Sequence, residues 1–538
     1  MSTLAHTVAA RLPQADTAPA GAGDKASPAT WIAVTAGMIG AFMAILNIQI
    51  TNASLLDIEG GIGTGVDNGA WISTSYLIGE IVVIPLTSYL SQVFSFRAYI
   101  IGSAFFFALF SIACAFAHDL ASMIAMRALQ GFAGGVLIPM AFTMVVTRLP
   151  KPQQPTGLAM FALAVTFAPA IGPTIGGYLT ENYGWQTIFF INTVPSLVMI
   201  VALSMTLERA PMRLGLLRDG DWAGIVTMAI GLSALQTLLE EGNKDDWFGS
   251  PFIVNLAVIA AVFLAAFLWL ELTVSKPLVD LRLLRDRNFA VGTLANVLVG
   301  FALFGTVYVL PQYLGQVHGY NAEQIGSVLA WTGLPQLLLI PLVPRLMKVL
   351  DARYVVSAGI ALFALSCFMN TGMSLDYSGD QLFLPNIVRA IGQALVLTPL
   401  TSIATQAIAP KDAANASGLF NMLRNLGGAT GTALLETIIT KREQFHSNII
   451  GQSVTLTRDE VRRRIDEITG YFTSHGVSDA ALAQHRAIVA LGNAVKRQAL
   501  IMGFSDTFEV IGVMLAIAAI AILFARKGQA GTGASAAH

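Results

Sequence analysis

A guanidinium lies where its surroundings call for hydrocarbon. Arg127 sits in Ala125-Met-Arg-Ala-Leu-Gln130-Gly131-Phe-Ala-Gly134-Gly135 and is followed by about 20 residues without another charge. A cation at membrane depth costs about 2.5–3.5 kcal/mol on insertion scales, so Arg127 is expected to line a pathway rather than to pack idly. Gln130 follows it by one helical turn. A second apolar run, Trp71-Ile-Ser-Thr-Ser-Tyr76-Leu-Ile-Gly-Glu80-Ile-Val-Val-Ile-Pro85, carries one carboxylate, Glu80. Desolvation and a nearby cation together set such a group's affinity for a proton, and Arg127 is the expected cation. A proton taken up from outside would weaken the pair and bias a two-state equilibrium. No nucleophile triad, zinc-ligand spacing or phosphate-binding loop is present, so no enzyme, metal or cofactor is expected.

These residues need elements that cross a bilayer. The chain of 538 residues is 55% hydrophobic and 12% charged, with mean hydropathy +0.66, the composition of a polytopic all-α membrane protein. Net charge −1 gives no case for nucleic acid. Cys114 and Cys367 fall in apolar segments and read as small hydrophobes. Residues 1–30, rich in Ala, Pro, Thr and Gly, read as a disordered cytoplasmic tail. Runs long enough to span about 30 Å of hydrocarbon number fourteen: 32–55, 70–91, 98–117, 120–147, 157–180, 186–207, 222–241, 251–272, 289–313, 322–347, 354–373, 381–407, 413–439 and 504–525.

Basic residues gather on the even-numbered connections and the C-terminal end, from Arg97, Arg148 and Lys151 to Lys276, Lys411, Arg526 and Lys527; the short odd-numbered connections carry only Lys244. The positive-inside rule then places both termini in the cytoplasm. The segment 440–503 is polar and helical in pattern: Thr457-Arg-Asp-Glu460 resembles a capping box, and Ser478-Asp479 opens a second amphipathic run. It is expected to be an extracytoplasmic helical hairpin, either a spacer or a docking element.

The chain also repeats itself. Arg127-Ala-Leu-Gln-Gly, ahead of Pro139, is echoed by Arg389-Ala-Ile-Gly-Gln, ahead of Pro399. With spans seven and eight as an inserted pair, both fall on the fourth helix of a six-helix half. The expected units are 31–208, a linker with the extra helices over 209–286, and 287–538. Duplicated halves rocking about a midplane site are an architecture of alternating access.

Arg127-x-x-Gln130-Gly131, together with Ala168-Pro-Ala-Ile-Gly172-Pro173-Thr-Ile-Gly176-Gly177, resembles the fourteen-span drug:proton antiporters of the major facilitator superfamily, in particular the EmrB-like permeases. Trp185-Gln-Thr-Ile-Phe-Phe-Ile-Asn-Thr-Val-Pro195, Asp246-Trp-Phe248, Pro277-Leu-Val-Asp-Leu281, Arg287-Asn-Phe289 and Arg424-Asn-Leu-Gly-Gly428 extend the resemblance over 35–525. It implies that Gly172, Pro173, Gly176 and Gly177 form the antiporter signature. Pro173 would bend the helix, and the glycines would pack it on a helix of the other half. It implies, too, a multi-pass inner-membrane exporter of amphipathic toxic compounds, working with a periplasmic adaptor and an outer-membrane channel.

Two departures matter. Leu46-Asn47-Ile-Gln49-Ile-Thr-Asn52 stands where the family pattern is Leu-Asp-x-Thr-x-x-Asn, and Asn47 cannot release a proton. Ser88-Tyr-Leu-Ser-Gln-Val-Phe-Ser95-Phe-Arg97 stands where the pattern is Gly-x-Leu-Ala-Asp-Arg-x-Gly-Arg, so the usual charge lock is weakened or replaced. The proton is therefore expected on Glu80, with Glu436 a second candidate. Gln49 and Asn52 share a face of the first helix. Together with Asn47 and Gln130 they are expected on the substrate pathway, beside a wall of Tyr76, Phe161, Tyr308, Gln312, Tyr313 and Trp331. Arg389 and Arg424 would favour anions. Glu240, Glu241, Asp376, Asp506 and Glu509, near span ends, are expected to be solvated. Two alternatives remain at this point: export of an endogenous metabolite, fatty acid or siderophore, and a non-transporting receptor or scaffold.

Overall fold

The computed structural model describes residues 25–525 other than 275–276, 406–407 and 410–411. Most of the tail over 1–30, and Lys276, Lys411, Arg526 and Lys527, lie outside the described residues. Those described form helices and no strand. Helix α1 (Pro28–Ala53) starts where Pro28 fits the first turn and Ser27 caps it, accepting from Thr30 N at 3.2 Å. A short α2 (Leu55–Ile62) ends on Gly63 in the left-handed region. Then come α3 (Val66–Val93), α4 (Phe96–Ala115), α5 (Leu120–Gly134), α6 (Leu137–Arg148), α7 (Gln154–Tyr183), α8 (Thr187–Phe190) and α9 (Thr193–Thr206). Asp119 caps α5, and the backbone N–H of Ser122 on its carboxylate holds its pKa below the ordinary value. The pair expected as an insert is α10 (Trp222–Glu241) and α11 (Pro251–Thr273). The second half is α12 (Arg287–His318), α13 (Ala322–Leu339), α14 (Val343–Leu346), α15 (Ala352–Met369), α16 (Gly379–Ala394), α17 (Leu397–Thr405), α18 (Ala413–Ser453), α19 (Asp459–Ser474) and α20 (Ala480–Ala521).

The repeat in sequence is a repeat in shape. The fourth expected span breaks between α5 and α6, and the twelfth breaks between α16 and α17. Each break lies just ahead of a proline, Pro139 or Pro399, whose ring denies the carbonyl four residues back its hydrogen bond. Pro169 and Pro173 do the same in α7, where Gln154–Pro169 and Ile171–Tyr183 meet at 46°.

Twelve helices among the described residues are long and apolar enough to cross a membrane, thirteen with the bent α7. Helix α18, expected as the thirteenth of fourteen, falls outside that number; Asn421, Arg424 and Asn425 interrupt its apolar run. It nonetheless packs along α12, α20 and α3 in the body of the bundle. The expected hairpin is helical, but as an extension of two long helices. Helix α18 has 41 residues and α20 has 42; at 1.5 Å per residue each is ~60 Å long, about twice the hydrocarbon thickness. Helix α19 lies against α20. The expected capping box fails, because Arg458 is the N-cap and Thr457 bonds Thr455 instead. Asp479 does cap α20, accepting from Ala481 N at 2.9 Å.

Glycines set the tightest approaches. A Cβ at Gly131 would collide with the backbone of Tyr76, and one at Gly135 would come within 2.9 Å of the Glu80 backbone. This holds α5 close to α3. Gly300 and Gly427 do the same for α12 and α18. The antiporter glycines act differently from the expectation. Gly172 and Gly176 press against Gln49 and Ile50 of α1, in their own half, while Gly177 is buried beside them. Contact with the other half comes from Thr174, against which Gly326 of α13 is packed.

The inserted pair is tied to both halves. Thr74 of α3 donates to Glu241 at 3.4 Å, while Trp247 Nε1 donates to Thr437 at 3.0 Å and Asn243 to Thr440 at 3.3 Å, both on α18.

Candidate functional site

Between α1, α7, α12 and α18 lies a cavity of about 760 Å³, lined by the last turns of α1 and by the middle and later stretches of the other three. It opens on the face where α1 ends, the far face. Its rim includes Asp57, Glu181 and Asn321, and its walls come from both halves and from α10. Opposite, on the near face, the halves are shut: Ser417 of α18 donates to Pro139 O of α6 at 3.1 Å.

Glu80 lines the cavity at 3% exposure. Asn425 Nδ2 donates to its Oε1 at 3.1 Å, a bond from one half to the other, and its Oε2 has no partner among the described residues. Arg424 is its principal charged neighbour, also at 3% exposure, with Nε unpartnered. Gln49, Asn52, Pro173, Tyr308, Gln312 and Glu436 line the same cavity.

Arg127 is elsewhere. At 1% exposure it donates to Asn47 Oδ1 at 2.5 Å, Gln130 Oε1 at 2.7 Å and the Ile72 carbonyl at 3.1 Å. The Tyr76 ring lies 4.4 Å from the guanidinium. Gln130 passes the network on to Ser111 at 2.6 Å. Among the described residues no ion pair joins Arg127 to Glu80, which corrects the expected pairing. The acceptors on Nε and Nη1 are all neutral, and one of them, Asn47, stands where the family pattern has an aspartate.

Several expected wall residues are also corrected. Asn47, Gln130 and Tyr76 belong to the Arg127 cluster behind the wall, and the Tyr76 hydroxyl donates to Ala44 O at 3.1 Å. Phe161 stacks edge-on with Phe142, Tyr313 donates to the Tyr377 carbonyl at 2.6 Å, and Trp331 packs on Phe383 at the outer surface. Arg389 is buried outside the cavity lining, and its Nε is unpartnered. Glu240 and Glu241 are not free at a span end: Glu240 is half-buried and lines the cavity, and Glu241 is buried 3.3 Å from Lys244. Asp506 is half-buried between Arg442 and His446. Asn425 appeared in the sequence only within a motif, and Gln236 was not singled out at all. A polar residue one turn before Glu240 on an apolar helix was the available signal for Gln236.

On the near face, Gln92 and Val93 stand where the family pattern carries an aspartate and an arginine, and Gln92 Nε2 donates to Ser88 O at 3.2 Å. Tyr89 donates to Leu216 O at 3.0 Å, and Arg97 to Ser204 O at 2.7 Å. Ser95 occupies the pattern's glycine position at φ 64°, ψ 146°, a region that essentially only glycine adopts freely.

Residues 37–432 match the Major Facilitator Superfamily. The colistin resistance protein EmrB of Acinetobacter baumannii is 32% identical, covering 93% of this chain and 97% of that one. The multidrug export protein EmrB of Escherichia coli is 30% identical over 93% and 96%. The fatty acid resistance protein FarB of Neisseria gonorrhoeae is 30% identical over 94% and 97%. Among solved structures, the proton:xylose symporter XylE superposes with TM-score 0.59 at 12% identity, covering 93% of this chain and 96% of that one, a likeness of fold alone. The chain thus belongs to the major facilitator superfamily, as an EmrB-like permease that passes many times through the inner membrane.

Proposed function

We propose that the protein exports amphipathic toxic compounds in exchange for protons, by alternating access. The observation that carries this reading is Glu80: a buried carboxylate at a cavity between two halves, tied to Asn425 across the interface, with one oxygen unpartnered. Relatives named for multidrug export and for resistance to colistin and fatty acids favour export of small molecules. The far face is taken as extracytoplasmic and α18 as the remaining span, giving fourteen crossings with both termini in the cytoplasm. Water from outside then reaches Glu80 through the open cavity. A proton on Glu80 cancels its attraction for Arg424, which loosens the tie between halves and lets the molecule change face. The gradient supplies about 2.3 kcal/mol per charge per 100 mV and about 1.4 kcal/mol per pH unit.

The extension of α18, α19 and α20 is where a periplasmic adaptor and outer-membrane channel would engage, since it reaches well beyond the bilayer. The test is Glu80→Gln in vesicles with an imposed pH gradient. Loss of gradient-driven efflux, with exchange of preloaded substrate retained, is expected; undiminished coupling would end the proposal. A second reading, export of fatty acids or other organic anions, draws on Arg424 in the cavity and on the fatty acid resistance relative.

A further inference from the structure

The inserted helix α10 does more than flank the bundle. Its last turns bring Gln236, Leu239 and Glu240 into the cavity wall. Glu240 accepts from Gln236 Nε2 at 3.0 Å, and Glu436 on α18 faces it from the second half, beside Tyr308. Lys244, the nearby cation, lies 3.3 Å from a different carboxylate, Glu241. The lining as a whole holds five carboxylates, Asp57, Glu80, Glu181, Glu240 and Glu436, against two cations, Lys244 and Arg424. The wall between is apolar, with Leu239, Phe304, Val307 and Ala433. Deeper in, Glu80 is 97% buried on the complement of its 3% exposure and keeps Oε2 unpartnered. Asn425 and Glu436 are eleven residues apart on α18, hence ~16 Å along its axis. The site therefore has a charged outer end, an apolar middle and a carboxylate at its floor.

We infer that Glu240 and Glu436 form a subsite for the positive head of an amphipathic cation whose apolar body lies along the wall toward Glu80. The inference deepens the exporter reading and rests on it, by naming the substrate class. A cation set between two carboxylates against a low-dielectric protein wall gains Coulomb energy from both, whereas an anion there is repelled by both. The Tyr308 ring adds a face on which a diffuse cation can rest. A quaternary ammonium or phosphonium suits the site better than a primary amine, because it gives up few water hydrogen bonds on entry.

Tetraphenylphosphonium and tetraphenylborate share size and shape and differ in the sign of charge. Their equilibrium binding is measured on the full chain in lipid nanodiscs without a pH gradient, with binding to protein-free nanodiscs subtracted. The cation is expected to bind at least about tenfold more tightly than the anion. Glu240→Gln and Glu436→Gln should each weaken the cation about tenfold, while Glu240→Asp keeps most of the affinity; unchanged elution and melting temperature establish that the variants are folded. Equal affinity for the two ions, tighter binding of the borate, or an unchanged cation affinity in the double Gln variant would overturn the subsite. Because no gradient is applied, a failure here is distinct from a failure of proton coupling, which vesicle efflux reads separately.

Discussion

The single residue with most at stake outside the cavity is Arg127. Its three neutral acceptors leave it a permanent cation in the core, and each bond to a charged group contributes about 1.5–3 kcal/mol. Asn47→Ala removes the shortest of the three, so the purified protein should lose about that much stability, seen as a lower melting temperature in detergent. Asn47→Asp should instead raise it, because a carboxylate then compensates a charge already buried. A melting temperature indifferent to both changes would mean that Arg127 reaches other acceptors. Glu80 behaves otherwise, since its hydrogen-bond partner lies in the opposite half. Asn425→Ala should leave folding intact and shift the pH at which efflux is half-maximal, measured by vesicle flux across external pH. The sequence made both Arg127 and Glu80 legible, as isolated charges in apolar runs. Their pairing was not legible: a helix face is readable from spacing, but which face meets which neighbour depends on packing between helices distant in the chain.

Among the elements, breaks and close approaches were written in residue types, and their partners were not. Proline marks the bend in α7 and the breaks ahead of α6 and α17, whereas Pro85 in α3 and Pro311 in α12 stand in apolar runs that continue unbroken. Gly131 announces a close approach, but only the fold identifies the backbone of Tyr76 as the other party. Gly131→Val should therefore separate α3 from α5 and sharply reduce folded yield, read by monodisperse elution after extraction. Ser95 offers the opposite case. Its backbone conformation costs of order 1–3 kcal/mol for a side-chain-bearing residue, so Ser95→Gly should stabilise the turn between α3 and α4 by up to about 1 kcal/mol, reduced by the lost cap on Ala98 N at 3.5 Å. A lower melting temperature in this variant would show that the cap outweighs the strain. The fourteen expected spans exceed the twelve or thirteen apolar helices of the described residues at α18. The polar residues that lower its hydropathy, Arg424 and Asn425, are the ones that meet Glu80.

At the scale of the molecule, one face is open and the other shut. A membrane-impermeant maleimide added outside intact cells should label Asn52→Cys and Glu181→Cys at the rim, and leave Ser417→Cys unlabelled. In inside-out vesicles with substrate present, Ser417→Cys should become reactive as the halves exchange faces. Labelling of Ser417→Cys from outside would place the bundle the other way round in the membrane. The reading of two halves with an inserted pair rests on the echo of Arg127 at Arg389 and on the count of apolar runs. It could not show that α10 would reach the cavity, because Glu240 at a helix end looks like any solvated terminus until α18 is packed against it.

Helix α18 runs without a proline from Asn425 to Ser453, a rigid arm of ~42 Å. A tilt of ~10° at the inner end becomes a swing of ~7 Å at the tip by the geometry of that length. Any partner seated on the projection would feel each change of tilt as a mechanical stroke, with no separate signal needed between the arm's root and its tip.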